Sequence, residues 1–476
     1  MISSEGDRIA AKISTVNMKA RRKIVVKNPL SLETIETIYE TSAEELNTAI
    51  KLANSRLNEW INTNTDEKEK IFYRASLILE EQKNRLASLI VEESGSTLQK
   101  SEHEIQYSAN ILRAAAGEIR RLYGETIPDD HNERFSLVVK EPMGIVGAIC
   151  PFNAPLALLV KMIAFPLAAG NMVIAKPSLE TPLIALEFAK IFTAAGLPQG
   201  VFQVVCGDAK IGEQLVASAE THAITFTGST HVGKKIAQLC GLHIKPVHLE
   251  LGGNNPLLVF DDFDLEKATD LAIFGSFFHA GQICMASSRI LVQKTCYQKF
   301  RELFVDKAKS LHLGSLFDPK TLYGPLINQH SKDSVLQNLQ ASTRSPKNIL
   351  AGGKFLEPLR LEATIVENVA LNTPLWQEET FGPVATIMPF SNTTEGIKLA
   401  NASKYGLSAG ILTNQYQTGL KVAKSLQCGG THIGSHPFQS GTMTPVGGYK
   451  ESGLGRSGGH YSIDHFTKIK WMSFNN

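Results

Sequence analysis

The sequence predicts an α/β protein with more than one domain, built on mostly parallel sheets with a smaller β element projecting from them. At 476 residues the chain exceeds the size at which a single hydrophobic core keeps growing. From 143 to 260, short apolar, β-rich runs alternate with helix-length segments, the pattern of a parallel sheet with crossover helices. A second alternating block extends from about 265 to 423.

In the first block the strands are GIVGAIC, NMVIAK, VFQVV and HAITF, followed by PVHLEL and PLLVF. Helices fit between them at 157–169, 182–195, 211–218 and 232–238. Such a sheet binds ligands at the carboxyl ends of its strands, which is where Asn153, Lys176, Gly207 and Gly228 fall, a nucleotide-site geometry. The second block reads as a helix at 265–278, a strand SRILVQ and a helix at 297–311. GETIPDDHNERFSLVV reads as a turn-rich hairpin, and the terminal HFTKIKWMSF supplies one more strand, either a simple edge or a strand that pairs with another subunit.

Composition excludes several classes. Lys and Arg number 48 against 46 acidic residues, a formal charge of +2, which gives no reason to expect a nucleic-acid partner. A basic cluster from 19 to 27 reads as a solvated N-terminal arm. The six cysteines are scattered, with no CxxC pair and no metal-like Cys/His spacing, so no metal is expected and a reducing cytoplasm fits. The start lacks an apolar secretory core, and the apolar stretch 155–175 is broken by Lys161, Pro166, Gly170 and Asn171, so no membrane span is expected.

Three motifs carry chemistry. Gly453, Gly455 and Gly458 match GxGxxG, but they follow no apolar strand and leave too little chain for a second strand, so a closing loop is the better account. ITFTGSTHVG at 224–233 follows a strand and opens a helix, which suits either an anion at free helix N–H groups or a tight strand-to-helix turn. Cys284, in AGQICMA, is a candidate nucleophile, and Glu250, ending a strand at a double glycine, is a candidate base. A thiolate attacks an electrophilic carbon and a carboxylate activates water against the resulting thioester. The bland alternatives are an inert buried cysteine and a surface carboxylate. His279 reads as a helix-end histidine rather than the base of a cysteine hydrolase.

Taken together, CPFNAP, AKPS, FTGST, LELGGNNP, AGQICMASSR, QEETFGPV and GGYKESGLGR resemble the aldehyde dehydrogenase superfamily, of the NAD(P)-dependent, non-acylating type, in order and spacing. The resemblance covers nearly the whole chain after the first twenty residues. It implies a Rossmann-like cofactor-binding domain at 1–114 and 140–252 and an α/β catalytic domain at 253–428. It also implies oligomerisation strands at 115–139 and 460–476 and a closing loop at 429–459. Cys284 is then expected to attack the aldehyde, Asn153 and the Cys284 N–H to hold the oxyanion, and Glu250 to activate water. The implied cofactor contacts are Ile149, Phe152, Lys176, Ser178, Gly207, Phe226, Gly228, Ser229, Gly233, Leu251, Glu379 and Phe381, and the implied assembly is a homodimer or homotetramer.

The chain departs from that pattern in places. Leu179 stands where many NAD-selective relatives carry a ribose-binding glutamate, which predicts that NADP is tolerated as well as NAD unless Glu180 swings in. Met162 and Ser457 replace a lysine and a glutamate of the usual proton relay, which leaves Glu250 to exchange its proton with channel water. Lys161, Phe278, Ile283, Met285 and Val446 are expected to line the substrate tunnel, with Val446 and Gly434 widening its entrance. A medium or bulky aldehyde, anionic or aromatic, is the expected substrate. The alternatives are a CoA-acylating semialdehyde dehydrogenase, which needs no hydrolytic base, and an inactive cofactor-binding homologue.

Overall fold

The computed structural model describes residues 22–131 and 133–475. Part of the basic N-terminal cluster and the first 21 residues of the expected cofactor domain lie outside these. A six-stranded sheet runs in the order Gly453–Leu454, Val247–Glu250, Ala223–Thr227, Ile145–Ile149, Met172–Lys176, Phe202–Val204. It is parallel except at Gly453–Leu454. The strands Ile145–Ile149, Met172–Lys176 and Ala223–Thr227 are buried at every position, because crossover helices cover both faces; this explains their unbroken apolar runs.

A seven-stranded sheet carries the second half of the chain. Its order is Ile349–Ala351, Thr364–Glu367, Val384–Phe390, Ser287–Gln293, Asn255–Val259, Ser408–Leu412, Gly430–Ile433, parallel except for the first pair. Thr467–Asn475, Arg134–Pro142 and Glu125–Ile127 form a separate antiparallel sheet. The two large apolar cores divide between Leu251 and Leu257, so Glu250 stands at the seam.

Two details differ from the boundaries read in the sequence. Gly430–Ile433 is an edge strand of the second sheet, and Gly453–Leu454 pairs with Glu250 and Leu249 of the first. The segment expected as a closing loop therefore stitches one sheet to the other. The hairpin strand also runs on to Pro142, past the expected limit at 139. Four helices at 43–119, for which the sequence reading had no assignment, pack on the first sheet through Trp60, Phe72, Leu79 and Leu112.

Candidate active site

The Cys284 loop begins where the Leu265–Phe277 helix ends. His279, Ala280 and Gly281 follow in the left-handed region, at φ of 51°, 54° and 65°. Only glycine adopts that conformation without cost, so His279 and Ala280 store strain beside the nucleophile. The loop is held from outside. Gln282 is fully buried, its Oε1 accepting the Ile327 N–H at 2.9 Å and its Nε2 donating to the Pro325 carbonyl at 3.2 Å. Asn255 Nδ2 donates to the carbonyls of Cys284 and Ala286 at 2.8 and 2.9 Å. Gly253 lets the Glu250 strand pass close by, since a Cβ there would lie 2.3 Å from the Cys284 carbonyl oxygen.

Asn153 Nδ2 donates to the Gln282 carbonyl at 2.8 Å, fixing the amide beside the same loop. An amide nitrogen carries two N–H donors, so this bond leaves a second for an oxyanion. The Asn153 backbone is itself anchored. Lys100 Nζ donates to the Asn153 carbonyl at 2.8 Å and to Glu104 Oε2 at 2.6 Å, and Glu104 Oε1 accepts the Leu156 and Ala157 N–H groups.

Glu250 is almost wholly buried. Its Oε1 accepts from Ser457 Oγ at 2.5 Å and lies 3.9 Å from Lys161 Nζ and 3.7 Å from His248 Nε2. Burial works against its charge, but Lys161, His248, the Ser457 hydrogen bond and Arg456 outweigh burial and hold the carboxyl below its ordinary range. The Glu250 carboxyl is thus ionised at neutral pH. Cys284 is half-buried, and burial, Glu379 and Glu250 push its thiol up to about 12, with Lys161 acting the other way.

Cys284, Glu250 and Asn153 line one cavity of about 410 Å³, together with Lys161, Phe278, Ile283, Met285 and Val446. The rest of its wall combines the rings of Tyr107, Phe274 and Phe438, with His103 and His436, with Ala154, Ala157 and Leu158 and the polar Lys100, Glu104, Thr227, Gln439 and Ser440. Phe274 stacks on Phe278 with ring centroids 4.6 Å apart, and Phe278 stacks on Phe438 at 6.1 Å. His279 is buried with its Nε2 unpartnered. Gly434 is outside the cavity wall.

The expected cofactor residues fall along the carboxyl ends of the first sheet and across the seam from it. Ile149 and Lys176 end strands of it, Phe226 is the next-to-last residue of Ala223–Thr227, and Leu251 follows Val247–Glu250. Lys176 Nζ donates to the carbonyls of Gly207 at 2.8 Å and Pro177 at 3.3 Å, leaving one donor of its ammonium. Ser178 Oγ accepts the Glu180 N–H, and Glu180 Oε1 accepts Asn328 Nδ2 at 2.8 Å, which ties Glu180 to the other domain. Ser229 caps the Thr230–Leu242 helix. Gly228 and Gly233 have an internal reason: a Cβ at either would lie within 2.5 Å of Phe226 or Leu251 side-chain atoms. Phe152 meets Phe381 edge to face at 5.8 Å, and Phe381 holds a strained φ of 49°. Glu379 Oε1 accepts the Gly253 N–H at 3.1 Å, its Oε2 would lie 2.4 Å from a Cβ on Gly252, and burial raises it to about 8. A half-buried carboxyl with one backbone donor beside a bare glycine suits a sugar diol, so these residues fit a dinucleotide.

The sequence reading missed Lys100, Glu104, Asn255 and His248. The first two sit on a helix it did not assign. The asparagine was visible only as a neighbour of Glu250, and His248 as one residue of an apolar strand.

No helix among the described residues is long and apolar enough to cross a membrane, and no cluster of metal-ligating side chains occurs among them. Residues 16–472 match the model of the aldehyde dehydrogenase family. A mitochondrial succinate-semialdehyde dehydrogenase of Oryza sativa subsp. japonica is 36% identical over 463 residues, covering 96% of this chain and 87% of its own. Benzaldehyde dehydrogenase YfmT of Bacillus subtilis (strain 168) is 36% identical over 449 residues, covering 94% and 92%. Among solved structures, an NADP-dependent enzyme of E. coli superposes with a TM-score of 0.93 at 34% identity, covering 96% of this chain and 95% of that one. A betaine aldehyde dehydrogenase from Staphylococcus aureus in complex with NAD+ gives 0.92 at 31%, covering 95% and 92%. The chain belongs to the aldehyde dehydrogenase family and is an NAD(P)-dependent enzyme that oxidises aldehydes.

Proposed function

We propose that the substrate is an uncharged aromatic aldehyde, and that Cys284, Asn153 and Glu250 carry its oxidation. The observation that supports the substrate class is the cavity wall. Stacked rings at Phe274, Phe278 and Phe438 offer a slot for a planar ring. Of the two lysines in the wall, Lys100 is committed to Glu104 and the Asn153 carbonyl, while Lys161 faces Glu250 at 3.9 Å as an ion pair without a hydrogen bond. Burial lowers His436 to about 4, which leaves it neutral. A carboxylate-bearing semialdehyde would therefore have to compete with Glu250 for Lys161, the charge on which the base depends. The relatives do not decide between the classes, since the succinate-semialdehyde and benzaldehyde enzymes are equally identical to this chain.

Cys284 Sγ adds to the carbonyl carbon as its proton passes to the ionised Glu250, which returns it to cavity water before the second step, and the oxyanion takes hydrogen bonds from the second Asn153 N–H and the Cys284 backbone N–H. Bound NAD(P) supplies the acceptor for the hydride. Glu250 then removes a proton from the water that attacks the thioester, and Cys284 departs as thiolate. Lys176, Ser178 and Ser229 hold the adenosine and phosphate end, and Glu379, Phe381 and Phe152 the nicotinamide end. The spare donor on Lys176 and the engagement of Glu180 with Asn328 favour tolerance of the 2′-phosphate of NADP. Six free cysteines support a reducing compartment such as the cytoplasm. Exposed Trp471, Ile469 and Phe135 on the projecting sheet support a homodimer or homotetramer.

The deciding experiment compares kcat/KM for benzaldehyde, hexanal and succinate semialdehyde, each with NAD and with NADP. Benzaldehyde is expected to exceed succinate semialdehyde at least about tenfold, the scale of one to two good apolar contacts. A preference for succinate semialdehyde would overturn the substrate reading. NAD selectivity of a hundredfold or more would overturn the reading of Leu179.

A further inference from the structure

A second, smaller cavity touches Glu250. It measures about 10 Å³, room for one water, and its wall includes Lys161, Thr225, His248, Glu250, Ser457 and Ser462 but not Cys284. His248 lies on the Glu250 strand, two residues before the base, and is buried. Its Nδ1 is 3.3 Å from Thr225 Oγ1, while Nε2 has no hydrogen-bond partner and stands 3.7 Å from Glu250 Oε1. Leaving a buried ring nitrogen unpaired costs on the order of 1–3 kcal/mol, so a partner is expected. At 3.7 Å the carboxylate is too far for a direct bond, and the polar, water-sized cavity holds what would bridge them. With Thr225 accepting from Nδ1–H, the tautomer that results presents a bare lone pair at Nε2.

We infer that a water in this cavity joins His248 Nε2 to Glu250 Oε1, and that His248 stores the proton the base collects during thioester hydrolysis. The inference rests on Glu250 being that base. As the attacking water's oxygen bonds the thioester carbon, one of its O–H bonds breaks and the proton passes to Glu250. Glu250 gives a proton to the cavity water, and that water gives one of its own to Nε2. The result is a carboxylate, a neutral water and an imidazolium, with no electron gained or lost. After the acid leaves, the proton returns by the same path to water entering the large cavity. This role replaces the exchange with channel water that Met162 and Ser457 alone would suggest.

The groups around the ring decide how long it holds the proton. Glu250 on its own strand favours the imidazolium. Opposing it are burial, His465 from the Gly459–His465 helix with its ring 5.3 Å away, Lys161 from the Pro155–Ala168 helix, and Arg456. The balance lowers His248 to about 4, so the imidazolium does not persist at neutral pH and the store empties readily.

His248→Gln tests this, because an amide can still hold the water but cannot take up a proton. The expected result is an intact pre-steady-state burst of NAD(P)H, unchanged KM, kcat reduced on the order of tenfold, and a larger solvent deuterium isotope effect on kcat. A wild-type kcat and isotope effect would overturn the proposal. Glu250→Gln runs in parallel: steady turnover by that variant means the base itself is misassigned, whereas a stall after the burst, beside an unaffected His248→Gln, removes only the proton store. If His248→Gln does not fold, Thr225→Val decides in its place. It keeps the ring but removes the acceptor that selects its tautomer, and a reduced kcat with a raised isotope effect supports the store while unchanged values overturn it.

Discussion

Lys161 Nζ and Glu250 Oε1 are 3.9 Å apart, and both side chains are nearly buried. At an effective dielectric of about 20, such a pair interacts by about 4 kcal/mol. That attraction is the first-ranked force holding the Glu250 carboxyl below its ordinary range against burial, which would raise it. Lys161→Met leaves burial with less opposition. The folded-state carboxyl rises, so it is protonated over a wider acid range, and the acid limb of kcat against pH is expected to move to higher pH. The shift should be the same for benzaldehyde and for succinate semialdehyde. A change confined to KM for the acid-bearing aldehyde would instead mean that the ammonium binds substrate. Sequence alone could not resolve this, because the family pattern put the relay lysine at Met162, and a four-carbon side chain reaches the same carboxylate from one position earlier. Ser457 is a parallel case: read as a lost glutamate, it is the direct hydrogen-bond donor to the base. Cys284, Glu250 and Asn153, which line one cavity, could be singled out beforehand because the proposed chemistry requires a particular side chain at each. Those that were not, such as Asn255 and Lys100, act by pinning backbone carbonyls that a sequence does not display.

Two helices of the first sheet begin without a capping side chain of their own. Pro155–Ala168 follows Ala154, and Leu183–Ala194 follows Pro182. Their leading amides are instead taken by glutamates from other helices. Glu104 accepts from Leu156 and Ala157, and Glu93 accepts from Leu183 at 2.9 Å and Ile184 at 3.0 Å. These starts were read two residues late and one early for that reason, since the signal is tertiary and no local cap marks it. The strands were more legible because burial on both faces writes itself as a continuous apolar run. Glu93 is fully buried, and burial outweighs the two N–H bonds to raise it to about 8. A raised folded-state value means its contribution is whole below the ordinary carboxyl range and is lost as pH climbs through about 8. Glu93→Gln removes that dependence. The wild-type Tm is therefore expected to fall more steeply than that of Glu93→Gln between pH 6 and pH 9 in scanning fluorimetry. Equal slopes would show that Glu93 stays charged throughout. Glu93→Ala, which strands two buried amides, should cost about 2 kcal/mol or more at any pH.

At the scale of the molecule, both large sheets are covered on their faces but the projecting one is not. Thr467–Asn475 is exposed along nearly its whole length, with Ile469 at 73%, Trp471 at 61% and Phe474 at 52%, and its neighbouring strand adds Phe135 at 52%. Among the described residues it is also an edge strand, pairing only with Arg134–Pro142. A long, apolar, unpaired edge is a liability in a monomer and is ordinarily covered. A second copy of the chain in the proposed homo-oligomer would bury this tryptophan and complete the ladder. Trp471→Glu places a charge in that contact without touching either large core. The variant is expected to elute as a smaller species than the wild type by size exclusion with light scattering, and to lose thermal stability more steeply on dilution. Its NAD(P)H burst per site should persist, because Cys284, Glu250 and Asn153 are all supplied by one chain. An unchanged mass would assign the exposed edge to some other role, and a monomer without a burst would mean that the contact also orders the seam between the two sheets on which Glu250 stands.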